Sequence, residues 1–68
     1  MLFWRQTGRM YFADVQGVRY RIQASVVPDH WLVEVCLEDE GCWTRVGLYN
    51  GLTNAMDRAF AHQIRALH

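Results

Sequence analysis

The stretch RMYFADVQGVRYRIQA, residues 9–24, decides how this chain of 68 residues folds. Apolar and polar side chains alternate on both sides of Gln16-Gly17, which is typical of two strands joined by a tight turn. In that register five pairs oppose one another: Val15 and Val18, Asp14 and Arg19, Ala13 and Tyr20, Phe12 and Arg21, Tyr11 and Ile22. One face becomes apolar and the other gains an opposite-charge pair, so we predict an antiparallel hairpin.

The middle of the chain repeats this pattern with a longer turn. Pro28 interrupts the strand, and alternation resumes from about His30 to Tyr49. A four-residue loop over residues 38–41 gives the pairs that match best in polarity: Leu37 with Cys42, Val33 with Val46, and Glu34 with Arg45. A slip of one residue would exchange the two faces of a strand, so this register predicts a second hairpin.

The segment from Gly51 to Leu67 predicts one amphipathic helix, with Asn50 or Gly51 at the N-cap position. Apolar side chains at helical spacing form one stripe: Leu52, Ala55, Met56, Ala59, Phe60, Ile64 and Leu67. The other side of the helix is polar and carries Asn54, Asp57, Arg58, His62 and Arg65.

These elements predict an α+β fold of the order β-β-β-β-α, with a four-stranded antiparallel sheet built from the two hairpins. The C-terminal helix is expected to cover one face of that sheet. The length predicts a single domain over residues 1–68. The sequence leaves open whether Leu2 to Arg5 adds a fifth strand or covers an edge of the sheet.

Composition narrows the classes of function. Hydrophobic residues make up 51% of the chain, which excludes an intrinsically disordered protein. Seven arginines balance seven acidic residues, whereas nucleic-acid-binding domains usually carry a basic excess. Charge therefore favours another protein as the partner, either a host protein or a second copy in a homodimer. No apolar stretch approaches the roughly 20 residues of a membrane span, so we expect no membrane contact and a cytoplasmic location.

Cys36 and Cys42 bracket an acidic run and are the first candidates for a chemical site. A Cys₂His₂ zinc site needs closely spaced pairs, but five residues separate these cysteines and the histidines (His30, His62 and His68) are scattered. The preferred register points Cys42 inward and Cys36 outward, and a cytoplasmic setting also disfavours a disulfide. We therefore predict no metal, with Cys42 in the core and Cys36 as a free thiol.

Catalytic and cofactor-binding motifs are not recognisable in the chain. It contains no Ser-His-Asp or Cys-His motif and no glycine-rich phosphate loop. Glu38, Asp39 and Glu40 form an acidic turn that lacks the twelve-residue spacing of a calcium-binding EF-hand. We expect no enzymatic activity and no cofactor, and we expect the acidic turn to meet solvent or a basic partner.

The sheet face turned away from the helix, which we call the outer face, is the strongest candidate for a functional surface. Such a face is normally polar, but here it is predicted to collect aromatic residues and arginines: Phe12, Arg19, Arg21, Trp43, Arg45 and Tyr49. Exposed Trp, Tyr and Arg are enriched where binding energy concentrates in interfaces. This face is predicted to bind a partner, unless Leu2 to Trp4 or another terminal segment folds over it as a second core.

Three short patterns within residues 30–60 carry a resemblance: Trp31-x-Val33-x-Val35, Trp43-x-x-x-Gly47-x-Tyr49 and Leu52-x-x-Ala55. Together they resemble the sheet-plus-helix DNA-binding domains of plant ethylene-response factors and the arm-site-binding domains of phage integrases. In those families the sheet lies in the DNA major groove, so the resemblance implies DNA contacts from the following residues: Arg19, Arg21, Trp43 and Arg45. In size and style the chain is also similar to small phage-encoded inhibitors such as anti-CRISPR proteins, which implies binding to a host protein.

Overall fold

A computed structural model describes residues 2–37 and 41–66 and shows one antiparallel sheet with one C-terminal helix. Its elements are β1 Arg5–Thr7, β2 Met10–Val15, β3 Val18–Ala24, β4 His30–Leu37, β5 Trp43–Asn50 and α1 Leu52–Ala66. The strands follow one another across the sheet in chain order. The predicted α+β class is confirmed, but in the described residues the sheet has five strands rather than four.

The first predicted hairpin is confirmed in its register. β2 and β3 pair as expected along their whole length. Gln16 and Gly17 both have positive φ, 48° and 79°, which is the geometry of a type I′ turn. The twist of such a turn matches the twist of the flanking strands, so this turn sets the register at the centre of the sheet.

The sequence left open whether Leu2 to Arg5 adds a fifth strand, and the structure has that strand, β1, at Arg5–Thr7. It joins β2 through a two-residue turn, Gly8-Arg9, in which Gly8 has a φ of 62°, and a glycine at this position is typical of a type II′ turn. Leu2 is buried and Trp4 packs against the core, so neither residue folds over the outer face. The N-terminal segment therefore extends the sheet and adds apolar surface to the helix side.

A β-bulge interrupts the second hairpin. Near the turn Glu34 lies opposite Arg45, as predicted. Beyond the irregularity Val33 lies opposite Gly47, so Val46 is an extra residue of β5. The predicted pair of Val33 with Val46 is wrong, because regular alternation gives no sign of an inserted residue. Every later residue of β5 changes face as a result.

Tyr49 lies on the helix side, which corrects its predicted place on the outer face. Its ring crosses Gly47, where an added Cβ would lie 2.5 Å from the Tyr49 hydroxyl oxygen. Arg58 of α1 covers the ring, with its Cζ 5.6 Å from the ring centroid. The same bulge pairs Leu48 with Leu32 on the outer face.

Helix α1 turns most of the predicted stripe toward the sheet (Leu52, Ala55, Met56 and Ala59) but not Phe60 and Ile64, and Leu67 lies outside the described residues. Ala55 and Ala59 are fully buried, whereas Phe60 and Ile64 are 38% and 42% exposed. The two alanines let the helix approach the sheet closely, above three fully buried side chains: Tyr20, Ile22 and Val33. Close packing along this line leaves Phe60 and Ile64 at the side of the helix.

His62 faces the sheet, although the sequence pattern places it on the solvent side. Its Nδ1 lies 2.8 Å from the hydroxyl oxygen of buried Tyr20, and the two rings meet edge to face at 5.7 Å. A buried hydroxyl without a hydrogen-bond partner is unfavourable, so Tyr20 accounts for the inward position of His62.

Cys42 is exposed, which overturns its predicted place in the core. Strand β5 begins only at Trp43, so Cys42 precedes the ladder of paired residues. Leu37 at the same end of the sheet is 43% exposed, which shows that the core does not extend this far. Cys36 is half-buried, and both thiols are free.

We expect Gly47→Ala to destabilise the fold by about 1 to 3 kcal/mol, because the new methyl group overlaps the Tyr49 ring. Chemical denaturation of the variant and the wild type measures this loss. Tyr49→Ala supplies the control background, in which the same substitution should have a much smaller effect. Equal losses in the two backgrounds would contradict the position of Tyr49 over Gly47.

Burial raises the pKa of Tyr20 above its ordinary value of 10.0. As the pH rises, the unfolded chain loses this phenolic proton before the folded chain does, so stability is complete below about pH 10 and declines above it. We expect Tyr20→Phe to flatten this alkaline decline in the free energy of unfolding. At neutral pH the variant should lose about 1 to 2 kcal/mol, because His62 loses its hydrogen-bond partner. Equal alkaline slopes would show that Tyr20 does not contribute.

Candidate macromolecule-binding face

The outer face is left uncovered by the part of the chain that the structure describes, since α1 packs on the opposite face. The strand registers place these charged and apolar side chains on it: Arg5, Met10, Phe12, Asp14, Arg19, Arg21, Leu32, Glu34, Cys36, Trp43, Arg45 and Leu48. Four of these are arginines and two are acidic, which leaves two positive charges in excess on this face. The formal net charge of the whole chain is zero, so the fold separates charge that the composition hides.

Five of the six residues that were predicted for this face lie on it: Phe12, Arg19, Arg21, Trp43 and Arg45. Tyr49 does not, for the reason given above. The predicted acidic turn, Glu38, Asp39 and Glu40, lies outside the described residues. The binding roles of all these residues stay predictions.

Arg21 is held in place by several polar contacts. Its Nε and Nη2 donate to Oε1 of Glu34 at 2.9 and 2.7 Å, and Nε2 of Gln23 donates to the same oxygen at 2.8 Å. The Arg21 and Glu34 side chains are only 21% and 14% exposed. Solvent therefore screens this ion pair less than it screens a surface pair.

The guanidinium of Arg21 also lies over the Trp43 ring, with its Cζ 4.2 Å from the ring centroid. This distance is within the range of a cation–π interaction. Arg21, Gln23, Glu34 and Trp43 therefore form one unit across β3, β4 and β5, which we call the Trp43 cluster. Side chains that are already ordered lose less entropy when they bind a partner.

Asp14 forms a second and more exposed cluster. Its two carboxylate oxygens accept hydrogen bonds from Nη2 of Arg5 at 3.0 Å and from Nε of Arg19 at 2.7 Å. The hydrogen bond and the negative charge of Asp14 raise the pKa of Arg19. We call these three residues the Asp14 cluster.

Two open pockets lie on either side of Arg19. The larger, about 480 Å³, is lined by Asp14, Gly17, Val18, Arg19, Cys36, Gly41 and Trp43. The smaller, about 280 Å³, is lined by Arg5, Thr7, Phe12 and Arg19. Both are open to solvent, and each has at least one arginine and one aromatic side chain in its lining, which suits contact with a second macromolecule.

Arg45 completes the charged surface. It is exposed and forms no ion pair within residues 2–37 and 41–66. Over the same residues, no group of three or more His, Cys, Asp or Glu side chains could hold a metal ion.

Arg5 is the charged member of this face that sequence reasoning missed. Its strand is only three residues long, and alternation over so short a stretch is not distinctive. The available signal was the glycine in Thr7-Gly8-Arg9-Met10, because Gly followed by any residue is a known pattern for a two-residue hairpin loop.

No family model, no curated protein and no solved structure matches this chain. Of the helices in the described ranges, none is both long enough and apolar enough to cross a membrane. The resemblance to sheet-plus-helix DNA-binding domains stays a prediction. The geometry of the outer face is therefore the basis for a proposal about function.

A double-mutant cycle tests how firmly the Trp43 cluster is held. We expect Arg21→Ala and Glu34→Ala to couple by about 1 to 2 kcal/mol in chemical denaturation, because the pair is half-buried and shares two hydrogen bonds. The matched control is the pair Arg5 and Asp14, whose side chains are 71% and 45% exposed and which should couple less. Equal coupling in the two pairs would contradict the rigid character of the Trp43 cluster.

Proposed function

We propose that this protein is a small non-enzymatic binding protein whose outer face docks onto another protein. The observation that carries this proposal is the Trp43 cluster, in which Arg21 is fixed between the Trp43 ring and Glu34 on an uncovered sheet face. Tryptophan and arginine dominate the energetic centres of protein interfaces, especially where their geometry is set before binding.

Charge supports a protein partner over nucleic acid. Asp14 and Glu34 lie among the arginines of the outer face. Asp14 accepts hydrogen bonds from Arg5 and Arg19, and Glu34 accepts them from Arg21. A phosphate backbone on this face would meet both carboxylates, whereas a protein can match alternating charges one by one. Three further acidic residues, 38–40, follow β4 directly in the sequence.

Nucleic acid is the second candidate, and one observation favours it. The fold gathers four of the chain's seven arginines on the outer face, and Arg45 has no ion pair among the described residues. Arginines beside an aromatic ring are also suited to phosphates and bases. This candidate predicts binding that weakens steeply with salt.

The proposal also covers the setting in which the protein works. Both cysteines are free, which fits a reducing compartment such as the cytoplasm. The similarity in size and style to small phage-encoded inhibitors supports a role in blocking a host protein by occupying its surface. A second copy of the chain is the other protein partner that the outer face would suit.

Trp43→Ala should weaken binding strongly while the fold persists, because this ring faces outward and touches Arg21 rather than the core. Wild type, Trp43→Ala and the control Phe60→Ala serve as baits for quantitative capture from host lysate. Phe60 is an equally apolar, 38% exposed residue on α1. We expect one set of proteins to bind wild type and Phe60→Ala equally and to fall at least about tenfold with Trp43→Ala. Equal capture by all three baits would refute the proposal.

A second pair of variants tests the proposal even if Trp43→Ala unfolds. Arg45→Glu changes an exposed residue of the outer face, and Arg65→Glu changes an exposed residue of α1. Loss of capture should follow Arg45→Glu and not Arg65→Glu, with circular dichroism confirming that both are folded. Sedimentation of the purified wild type reveals a homodimer. If the protein is retained on duplex DNA in a salt-dependent way, and Arg19→Ala and Arg45→Ala abolish this retention, the partner is nucleic acid and not a protein.

A further inference from the structure

We propose that the smaller pocket, between Arg5 and Arg19, is a binding site for a carboxylate and takes an acidic side chain of the protein partner. This inference rests on the proposed function, because it treats the outer face as the contact surface. It adds the chemistry of the group that the partner presents and names the residues that receive it.

Among residues 2–37 and 41–66, the Asp14 cluster leaves hydrogen-bond donors unused. Asp14 occupies Nε of Arg19 and Nη2 of Arg5. A guanidinium carries five N–H donors in a rigid planar arrangement, so each arginine keeps further donors after its bond to Asp14. Asp14 is therefore a positioning residue, which holds two guanidiniums at the same pocket from below.

The other walls of the pocket suit the stem and the oxygens of an acidic side chain. Thr7 contributes a hydroxyl donor and Phe12 contributes an apolar ring. Arg5 and Arg19 are 71% and 58% exposed, so a side chain of another molecule can reach both of them. Charged donors that converge on one position recognise a carboxylate well, because planar guanidinium and planar carboxylate match in geometry.

The charge of the cluster selects one carboxylate rather than a polyphosphate chain. Two arginines and one aspartate leave a single positive charge, which one carboxylate neutralises. A nucleic-acid strand brings a charge with every nucleotide, and the neighbouring charges would face Asp14 and Glu34. Charge complementarity on this face therefore favours an acidic peptide segment.

The position of the pocket links it to the Trp43 cluster. Arg19 borders both pockets, and Trp43 lines the far one. The smaller pocket lies over β1 to β3, so its middle strand, β2, is three strand spacings from β5, roughly 14 Å, which an extended peptide covers in roughly four residues. A short segment can thus place an acidic side chain between the arginines and an apolar one beside Trp43.

The test is an NMR titration of the whole ¹⁵N-labelled protein with a blocked pentapeptide, Gly-Glu-Gly-Glu-Gly, at low salt. The control ligand has Gln in place of both Glu residues. We expect saturable shifts centred on the lining residues of the pocket, Arg5, Thr7, Phe12 and Arg19, and much smaller shifts with the Gln peptide. Arg19→Ala and Arg5→Ala should each weaken the affinity at least about tenfold, since each removes a charged donor. Arg65→Ala, on the outside of α1, should leave it unchanged.

Three outcomes would overturn the inference: equal shifts with the Gln peptide, equal shifts around Arg58 and Arg65, or unchanged affinity in Arg19→Ala. A thymidine oligonucleotide that shifts the same pocket signals at lower concentration than the Glu peptide would also overturn it, in favour of nucleic acid. If capture from lysate depends on Trp43 but the protein does not respond to the Glu peptide, the proposed pocket is wrong and the proposed function stands. If the Glu peptide binds but capture from lysate is unchanged by the Trp43 and Arg45 substitutions, the proposed function is wrong instead.

Discussion

The hydroxyl group of Tyr20 is the constraint on which the arrangement of this fold depends. It is buried at the centre of the sheet, on β3, and a buried hydroxyl needs a hydrogen-bond partner. His62 supplies that partner, which requires the side of α1 that carries His62 to face the sheet. Ala55 and Ala59 then form the line of closest approach, while Phe60 is displaced to the side of the helix. The apolar residues that share the His62 side of α1 enter the core, and Phe60 does not.

The β-bulge at Val46 has a comparable effect on the sheet. An extra residue in β5 moves Tyr49 to the helix side, where it fills the space above Gly47. It also sends Leu48 to the outer face. As a result Trp43 is the one aromatic residue that β5 contributes to the outer face. Its ring packs against Arg21 and not against the core. The bulge therefore places Tyr49, which stabilises the fold, and Trp43, which is proposed to bind a partner, on opposite faces of the sheet.

The charged residues of the outer face owe their arrangement to cross-strand pairing. Asp14 lies opposite Arg19, and Glu34 lies opposite Arg21, so each acid orients a cation on the next strand. The two clusters differ in exposure: the Trp43 cluster is half-buried and ordered, and the Asp14 cluster is open to solvent. An interface needs both properties, because ordered residues reduce the entropy lost on binding and open donors remain free for the partner.

Local patterns were enough to predict the α+β class, the register at Gln16-Gly17 and the place of Arg19, Arg21 and Trp43 on the outer face. These features follow from side-chain alternation and turn chemistry, which act over a few residues. Tertiary structure alone decided the face of Tyr49 and the inward turn of His62, since a bulge and a buried hydroxyl depend on residues far apart in the chain. The sequence therefore determined the strands and their pairing in the first hairpin. Packing between distant elements decided which side chains form the core and which remain available for a partner.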